Sequence, residues 1–227
     1  MSADPTAQLD PAARAALETV LRLLAEERAS VSSITEPGRA WRVHVADSLT
    51  GLEIPDLRNA PRIADIGSGA GFPGLVLAVA LPSSQLDLVE SVGRKCEFIR
   101  RAIDTAAIGN ARVLNVRSED LAQAEGREAY AAVTARAVGR LSTLAELASP
   151  LLEENGVLVA WKGKRDPDEE VQLARAAEEL AMRPEQILHV GPFAGSKHRH
   201  LHVLRKTGPT PAGLPRRAGM AKKRPRG

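Results

Sequence analysis

The sequence is short of aromatic residues, cysteine and long apolar runs, and each shortage excludes a kind of protein. Aromatic residues make up 3% of the 227 positions, so stacking platforms for single-stranded nucleic acid are scarce. The single cysteine, Cys96, excludes an internal disulfide framework and suits a reducing compartment. The best apolar run, residues 75–81, falls far short of the roughly 18 residues that a membrane-spanning helix needs. The amino terminus also lacks a secretory signal, so we expect a cytoplasmic protein that does not enter a membrane.

Acidic residues are missing from the last part of the chain. None follows Glu185, whereas ten of the 31 lysines and arginines lie there, and the other 21 share the preceding part with all 28 acidic residues. A basic tail on an acidic body favours contact with a polyanion, although a solvated tail that only aids solubility has the same composition. Residues 207–227 are rich in proline and glycine and then basic, which predicts a mobile tail.

Two helical patterns precede a repeating core. Residues 11–29 place apolar side chains at helical spacing behind the capping pair Asp10-Pro11. Pro37-Gly38 interrupts the chain, and a second helix is expected over residues 39–51. We therefore divide the chain into an N-terminal helical cap (1–60), a core domain (61–206) and the basic tail (207–227).

From residue 62 onward, short apolar segments alternate with helical patterns. This alternation predicts an α/β fold whose mostly parallel sheet is covered on both faces. The loop at residues 191–195 leaves no room for a crossover helix, so the final strand should run antiparallel to its neighbour. The expected strands are 62–66, 85–90, 111–116, 131–135, 157–161, 186–190 and 200–204, and the expected helices are about 72–81, 94–107, 140–149 and 167–181.

The strongest local motif lies where the first strand turns into the first core helix. It reads Asp65-Ile66-Gly67-Ser68-Gly69-Ala70-Gly71-Phe72-Pro73-Gly74. Glycines at such a turn let backbone N–H groups approach a ligand closely, because no Cβ intervenes. A tight turn without a ligand is the alternative, but four glycines in eight residues favour a nucleotide-binding loop.

Two kinds of ligand fit this glycine spacing. Gly69-x-Gly71-x-x-Gly74, with Glu90 downstream, satisfies the dinucleotide fingerprint. The register Asp65-x-Gly67-x-Gly69-x-Gly71 instead places a carboxylate where it would attract the cationic end of S-adenosylmethionine and repel a pyrophosphate. Glu90 can accept both ribose hydroxyls, and the chain lacks the second half that a dinucleotide normally uses. The sequence therefore favours S-adenosylmethionine as cofactor.

Two further strand ends should reach the same crevice. Ser118-Glu119 follows the third strand, where a residue could reach the adenine edge. Arg136 ends the fourth strand and has three interpretations: a contact to a substrate phosphate, a partner of Asp65 or Glu90, or a charge at the start of a helix. Its place at the carboxyl end of an apolar strand favours a functional role.

These motifs resemble those of the ribosomal RNA small-subunit methyltransferase G family, also called glucose-inhibited division protein B. The resemblance rests on the glycine loop with its Phe72-Pro73 and on further segments spread over residues 36–227. Those segments are His44-Val45-Ala46-Asp47-Ser48-Leu49, Val89-Glu90-Ser91 with Arg94-Lys95, Ala135-Arg136-Ala137, Trp161-Lys162-Gly163 and Pro215-Arg216-Arg217-Ala218-Gly219 with Lys222-Lys223.

The resemblance implies a class I S-adenosylmethionine-dependent methyltransferase with a Rossmann-like sheet that modifies a guanine N7 in 16S ribosomal RNA. It also implies that the small ribosomal subunit is the partner. Separately from the resemblance, we expect the protein to be a monomer. By the family pattern, Gly67, Phe72, Ser118, Glu119 and Arg136 would touch the cofactor. Glu90 stands where the family usually has aspartate, and either carboxylate can hold a ribose diol.

Basic side chains supply the expected contacts to RNA. Three histidines alternate at positions 198, 200 and 202, which predicts that their imidazoles share one face of a strand. The basic residues between them favour phosphate contact over metal binding. Because aromatics are few, recognition should depend on phosphates and RNA shape, and a folded ribosomal particle suits this better than a short single strand. The expected RNA contacts are Lys162, Lys197, Arg199, Arg216, Arg217, Lys222 and Lys223.

The chemistry needs few catalytic side chains. Guanine N7 has a free lone pair and no proton to lose, so no general base is expected and alignment should supply most of the rate enhancement. His44 and Asp47, three residues apart on one helix, could bind a metal, hold the cap to the core, or place His44 in the base pocket; the second interpretation ranks first. The alternatives for the whole protein are a methyltransferase of a small molecule or protein, and a non-catalytic nucleotide-binding module.

Overall fold

The protein is described by a computed structural model that covers residues 4–27 and 31–227. Its centre is a seven-stranded sheet with the order β3-β2-β1-β4-β5-β7-β6. The first five strands pair in parallel, and β7 runs antiparallel to both β5 and β6. The strands are β1 (Arg62–Ile66), β2 (Gln85–Val89), β3 (Ala111–Leu114), β4 (Tyr130–Arg136), β5 (Leu152–Lys162), β6 (Met182–His189) and β7 (His200–Lys206).

The predicted fold class is confirmed, including the antiparallel final strand. That strand is inserted between β5 and β6 and does not lie at the sheet edge. Crossover helices connect the parallel strands, as the sequence predicts. The helices that follow the cap are α5 (Gly74–Ala80), α6 (Gly93–Thr105), α7 (Ser118–Ala122), α8 (Leu141–Ala148), α9 (Pro167–Ala176) and α10 (Met220–Lys223), with a 3₁₀ turn at Glu178–Leu180.

The sheet separates two apolar layers because successive strand residues point to opposite faces. In β5, Val157 and Val159 face one layer, whereas Leu158 and Ala160 face the other. The first layer packs against the cap, α5 and α6, and the second packs against α8, α9 and Leu214. The result is a three-layer core with the loops at the carboxyl ends of the parallel strands left free for a site.

The first cap helix, α1 (Pro11–Glu26), begins where the sequence predicts. The Asp10 carboxylate accepts a hydrogen bond from the Ala13 N–H (2.8 Å), which caps the helix N-terminus. Its buried face carries Leu17, Val20, Leu21 and Leu24. The helix ends at Glu26, and residues 28–29 of the predicted helix lie outside the described residues.

The second cap helix is longer and less regular than the sequence predicts. A helical path runs from Pro37 to Glu53, through a π-helical segment at Trp41–Ala46 and a 3₁₀ turn at Thr50–Glu53. Its α-helical parts are α2 (Pro37–Ala40) and α3 (Asp47–Leu49), and α4 (Pro55–Arg58) leads into β1. The Trp161 indole N–H donates to the Asp47 carbonyl oxygen (2.8 Å), which joins the cap to the carboxyl end of β5.

The segment that the sequence predicts to be a mobile tail instead packs on the second layer. Leu214 and Ala221 are buried, and the Arg216 guanidinium forms a two-point ion pair with the Glu146 carboxylate on α8. Composition could not reveal this docking, because it depends on an acidic side chain 70 residues earlier in the chain. None of the helices in the described residues is long and apolar enough to cross a bilayer.

Candidate active site

The glycine loop turns sharply between β1 and α5. Gly71 has a φ of 89°, and a Cβ there would lie 2.4 Å from the Leu75 Cδ1. Gly69, with a φ of 62°, would bring a Cβ into ordinary contact with the Gly67 carbonyl oxygen alone (3.9 Å), and it donates its N–H to the Glu90 carboxylate (3.0 Å). The backbone therefore closes onto its own helix on one side and leaves an open concave surface on the other.

Asp65 does not face this surface, contrary to the prediction from the sequence. Its side chain is 1% exposed, and both carboxylate oxygens have partners beneath the loop. Oδ2 accepts from the Gly74 N–H (3.2 Å), and Oδ1 accepts from the Thr134 hydroxyl (2.9 Å). Burial raises the pKa of Asp65 to about 6, although those hydrogen bonds oppose the change. Asp65 therefore shapes the glycine loop from below.

Glu90 lies beside the loop with its carboxylate at the crevice. Oε2 accepts from the Gly69 N–H, and Oε1 accepts from the Val92 N–H (2.9 Å). Each carboxylate oxygen has a second lone-pair direction, so the side chain can still receive the two hydroxyls of a ribose. The structure thus retains Glu90 as a candidate ribose ligand and adds a role in holding the loop.

A cavity of about 170 Å³ opens next to Glu90. Gly67 lies on one side, and Ser118 and Glu119, at the start of α7, lie on the other. The sequence predicts this arrangement from the strand ends. It does not predict the third side, which comes from the C-terminal segment through Gly219, Ala221 and Lys222.

A second cavity of about 420 Å³ lies between the glycine loop and the cap. The His44 imidazole stacks on the Phe72 ring, with centroids 4.4 Å apart and planes 5° from parallel. Arg136 and Arg199 line the same cavity, and Gly67 lines both cavities. The two spaces therefore meet at the loop, as the nucleoside part of a cofactor and an incoming base would require.

Arg136 links the sheet to the cap. Its Nη1 donates to the Asp47 carboxylate (3.0 Å) and to the Val43 carbonyl oxygen (3.0 Å), and its Nη2 lies 3.2 Å from the His44 Nδ1. The partner is thus Asp47, and neither Asp65 nor Glu90 is bonded to it. The interpretation of His44 and Asp47 as a connection between cap and core agrees with this geometry.

His44 is held as a neutral base. Burial lowers its pKa to about 4, and the Arg136 guanidinium acts in the same direction. Nδ1 faces Arg136, and Nε2 lies 3.2 Å from the Ser32 hydroxyl and 3.1 Å from the Ile34 carbonyl oxygen. Both ring nitrogens are therefore engaged, which leaves His44 without the free lone pair of a general base.

Half of the basic residues after Glu185 are neutralised within the fold. In the described residues, five have an acidic partner within 4 Å, namely Arg199, Arg205, Lys206, Arg216 and Arg226. The remaining five have none at that distance in the same part of the chain: Lys197, Arg217, Lys222, Lys223 and Arg224. Three of the predicted RNA contacts thus have acidic partners within the fold: Lys162 pairs with Glu169 (2.7 Å), Arg216 with Glu146, and Arg199 with Asp47 at the longer distance of 3.7 Å.

The three alternating histidines do not form one exposed face. His202 is buried in β7, and His198 precedes the strand, which begins at His200. The His200 Nδ1 lies 2.8 Å from the Gly163 carbonyl oxygen. The prediction that the three imidazoles share one face of a strand is therefore wrong, because His198 precedes β7 and His202 packs in the core.

The sheet order, the glycine loop and the cavity at the strand ends define a class I S-adenosylmethionine-dependent methyltransferase. A SAM-dependent O-methyltransferase from Thermotoga maritima has the same fold, with a TM-score of 0.59 at 13% identity over 83% of this chain and 71% of that chain. A SAM-dependent methyltransferase from Aquifex aeolicus gives a TM-score of 0.55 at 14% identity over 76% of this chain and 94% of the other.

Comparison of the sequence with known families identifies one family within this fold class. The family model for rRNA small subunit methyltransferase G matches residues 15–201. The protein of that name from Rubrobacter xylanophilus is 41% identical over 92% of this chain and 81% of its own length. The one from Moorella thermoacetica is 34% identical over 99% of this chain and 95% of its own length. This chain belongs to the rRNA small subunit methyltransferase G family, and its cofactor is S-adenosylmethionine.

Proposed function

We propose that this protein methylates N7 of a guanine in the 16S RNA of the small ribosomal subunit. The observation that carries the proposal is the match to relatives named for small-subunit ribosomal RNA, at 34–41% identity over most of the chain. The twin cavities that meet at the glycine loop support it, because they can seat a nucleoside cofactor and a base side by side.

The cofactor would lie along the carboxyl ends of β1, β2 and β4. The residues present fit it: Glu90 offers free lone pairs at the nucleoside cavity, and the open side of Gly69 is a cradle that a side chain would fill. When bound, S-adenosylmethionine supplies a methyl group on a positively charged sulfur. The residues that would surround it are Gly67, Gly69, Gly71, Phe72, Glu90, Ser118, Glu119 and Arg136, with Asp65 acting from beneath.

The base would enter the cavity between the glycine loop and the cap. Phe72 and His44 form a rigid stacked wall there, and Arg136 fixes the imidazole through Nδ1. Around this cavity, the candidate general bases in the described residues are His44, whose ring nitrogens are both engaged, and Asp47, which pairs with Arg136 through Oδ2 and whose buried Oδ1 has no hydrogen-bond partner there. Guanine N7 needs none, so these side chains contribute by alignment and by excluding water.

The RNA would be held by exposed cations near the carboxyl ends of the strands. Lys197, Arg217, Lys222 and Lys223 have no acidic partner within 4 Å in the described residues, and Arg199 lines the base cavity. Lys162 and Arg216 are left out of this set because Glu169 and Glu146 neutralise their charges at hydrogen-bond distance. Arg199 stays in the set because its contact with Asp47 is longer, at 3.7 Å, and Asp47 is already paired with Arg136.

The protein is further proposed to act as a monomer in the cytoplasm, built from the helical cap, the methyltransferase domain and the basic C-terminal segment. In the described residues, the large apolar side chains with substantial exposure are Val92, Val171 and Ile187. They lie on separate elements, so they do not form the contiguous apolar patch that an obligate interface normally shows.

Transfer of labelled methyl tests the proposal. The protein is incubated with S-adenosylmethionine labelled in the methyl group and with small ribosomal subunits that lack the modification, and the labelled base is then mapped. Label at one guanine N7 of 16S RNA is the expected result. Label in a protein or small molecule would favour another substrate, and cofactor binding without transfer to any RNA would favour a non-catalytic module.

A further inference from the structure

Three carboxylates outside the glycine loop hold the chain that follows β7. Glu128, just before β4, accepts from the Thr210 N–H (2.7 Å) and from the Lys206 ammonium (2.9 Å). Glu146, on α8 and 3% exposed, accepts from Arg216 Nε (2.6 Å) and Nη2 (2.5 Å). Glu119 accepts from the Gly219 N–H (2.7 Å). Each hydrogen bond joins a charged group to the segment, and such bonds are stronger than neutral ones.

These contacts carry the segment onto the nucleoside cavity. Arg216 also donates to the Arg224 carbonyl oxygen (2.8 Å), which folds residues 216–224 into a closed turn. Within that turn Ala221 is buried, and the Thr143 hydroxyl donates to its carbonyl oxygen (3.3 Å). Gly219, Ala221 and Lys222 thereby lie opposite Gly67 and Glu90.

Glu119 belongs both to the wall of the nucleoside cavity and to the contacts that hold the C-terminal segment. It starts α7 at the edge of the cavity, and its side chain is satisfied by the Ser118 hydroxyl (3.2 Å) and by the Gly219 N–H. Gly219 has a φ of 82°, a left-handed conformation that lets the chain turn and point this N–H at the carboxylate. The cofactor side of the cavity and the C-terminal segment are thus joined through one acidic side chain.

We infer that residues 213–224, here called the C-terminal strap, form the outer wall of the cofactor's nucleoside pocket, and that Arg216 and Gly219 are positioning residues for cofactor binding. The inference rests on the proposed placement of the cofactor at Glu90. The composition of this segment suggests contact with RNA. The inference adds that part of the segment helps to bind S-adenosylmethionine. Cofactor affinity should then depend on the strap even when no RNA is present.

Coupling between strap and cofactor must be reciprocal. If the docked strap strengthens cofactor binding, the bound cofactor stabilises the docked strap by the same factor. Hydrogen exchange of residues 213–224 should therefore slow when S-adenosylhomocysteine binds. A segment that merely lies near the pocket would show no such change.

Calorimetry with S-adenosylhomocysteine, in the absence of RNA, compares two neighbouring arginines. Arg216→Gln removes the ion pair with Glu146, whereas Arg217→Gln removes the same charge from the next, exposed position. We expect Kd to rise about tenfold in Arg216→Gln, as for loss of a charged hydrogen bond, and to stay within about twofold in Arg217→Gln. Unchanged or tighter binding in Arg216→Gln would overturn the inference, and tighter binding would identify the strap as a plug.

A second pair of variants leaves every charge in place. Gly219 and Gly195 both have a left-handed φ and open space where a Cβ would project. Gly219→Ala strains the turn that delivers the N–H to Glu119, and Gly195→Ala applies similar strain in the β6–β7 loop. We expect S-adenosylhomocysteine affinity to fall in the first variant only. Equal affinity in the two proteins, with both folded by circular dichroism, would contradict the inference.

Glu90→Gln separates this inference from the placement on which it rests. A glutamine cannot accept from both the Gly69 and Val92 N–H groups and a ribose, so binding should be lost. If Glu90→Gln binds normally, the proposed placement fails. If Glu90→Gln loses binding and Arg216→Gln does not, only the role of the strap fails.

Discussion

His44 is the side chain at which the cap, the loop and the fourth strand meet. It stacks on Phe72 and contacts Arg136, and its nitrogens are otherwise used within the cap. Its place in the larger cavity agrees with a role in seating the base, while its lowered pKa and its engaged ring nitrogens argue against proton transfer. We interpret it as a positioning residue.

His44→Ala should therefore slow methyl transfer and leave cofactor affinity nearly unchanged. Loss of the stacked wall misplaces the base, and we expect kcat to fall about ten- to hundredfold. Single-turnover rates on small subunits and calorimetry with S-adenosylhomocysteine would measure the two effects, with His189→Ala, an exposed histidine on β6, as the matched control. Full activity in His44→Ala would remove this residue from the base pocket.

His44 and Asp65 should give stability opposite dependences on pH. The folded pKa of His44 is about 4, below the unfolded value near 6.5, so its contribution is present above pH 6.5 and is lost as pH falls towards 4. The folded pKa of Asp65 is about 6, above the unfolded value near 3.9, so its contribution is present below pH 4 and is lost as pH rises through 6.

Replacing one of the two residues should leave the pH dependence of the free energy of unfolding that the other residue causes. Asp65→Asn keeps His44, so its free energy of unfolding should rise between pH 4 and 6.5, whereas His44→Asn keeps Asp65, so its free energy of unfolding should fall. The difference between the two variants should grow over this range by an amount on the order of a few kcal/mol. Urea unfolding at several pH values would measure the difference, in which the other titrating groups cancel. Parallel curves would mean that neither group is perturbed as described.

For single residues, the sequence could predict which of them lie near the site, but it could not predict which side chains they contact. The glycine pattern and the strand ends indicated Gly67, Glu90 and Ser118 at the crevice, and the family resemblance added Phe72. They could not show that Asp65 is held beneath the loop, because its partner Thr134 is brought beside it only by the pairing of β1 with β4. Nor could they pair Arg136 with a residue 89 positions away, since only the packing of the cap determines that contact.

The cap and the sheet pack tightly where Gly51 lies against Trp161. A Cβ on Gly51 would lie 2.5 Å from the Trp161 ring, so only glycine allows this approach. The same indole donates to the Asp47 carbonyl oxygen, and Asp47 in turn holds Arg136. The geometry of the base cavity thus depends on how tightly this helix docks.

Gly51→Ala should loosen that docking and weaken the protein. Forcing a methyl group into the contact should cost about 1–3 kcal/mol of the free energy of unfolding and slow methyl transfer more than it weakens cofactor binding. Denaturant unfolding measures the first effect, and Gly109→Ala, whose added Cβ meets nothing within 4 Å, is the control. Equal stability of the two variants would show that the contact is not tight.

Most elements could be predicted because their patterns are local. The bounds of β1 agree with the prediction, and β2, β3 and β4 differ by one or two residues at their ends. β5 and β6 begin four or five residues earlier than predicted, where their exposed residues break the apolar pattern. The π-helical turn at Trp41–Ala46 and the docked strap could not be found this way, because tertiary contacts select them.

Across the whole molecule, the folded charge differs from the charge of the sequence. Ten basic residues follow Glu185, but ion pairs with the body neutralise five of them in the described residues. The cations that remain lie on the strap and on the loop before β7. Binding to RNA should therefore depend on salt less steeply than ten free charges would predict.

Replacing two of these cations tests the expected salt dependence of RNA binding. The double variant Arg217→Gln/Lys223→Gln should reduce the slope of log K against log salt by roughly 1 to 2, because each phosphate contact contributes about 0.7–0.9. Filter binding to 16S RNA across a salt series would measure it. Arg58→Gln/Arg175→Gln, which removes two exposed charges from α4 and α9, should leave the slope unchanged. Equal slopes in all three proteins would exclude the strap from the RNA interface.

The position of β7 also determines which strand forms one edge of the sheet. Because β7 is inserted between β5 and β6, the outermost strand on that side is β6, whose exposed stretch contains Arg183, Pro184 and Glu185 with an irregular register after Pro184. Proline lacks a donor, and flanking charges disfavour close approach by another strand. The border of the sheet is thus a poor template for strand addition, which should protect this enzyme from aggregating at the concentrations at which it is made.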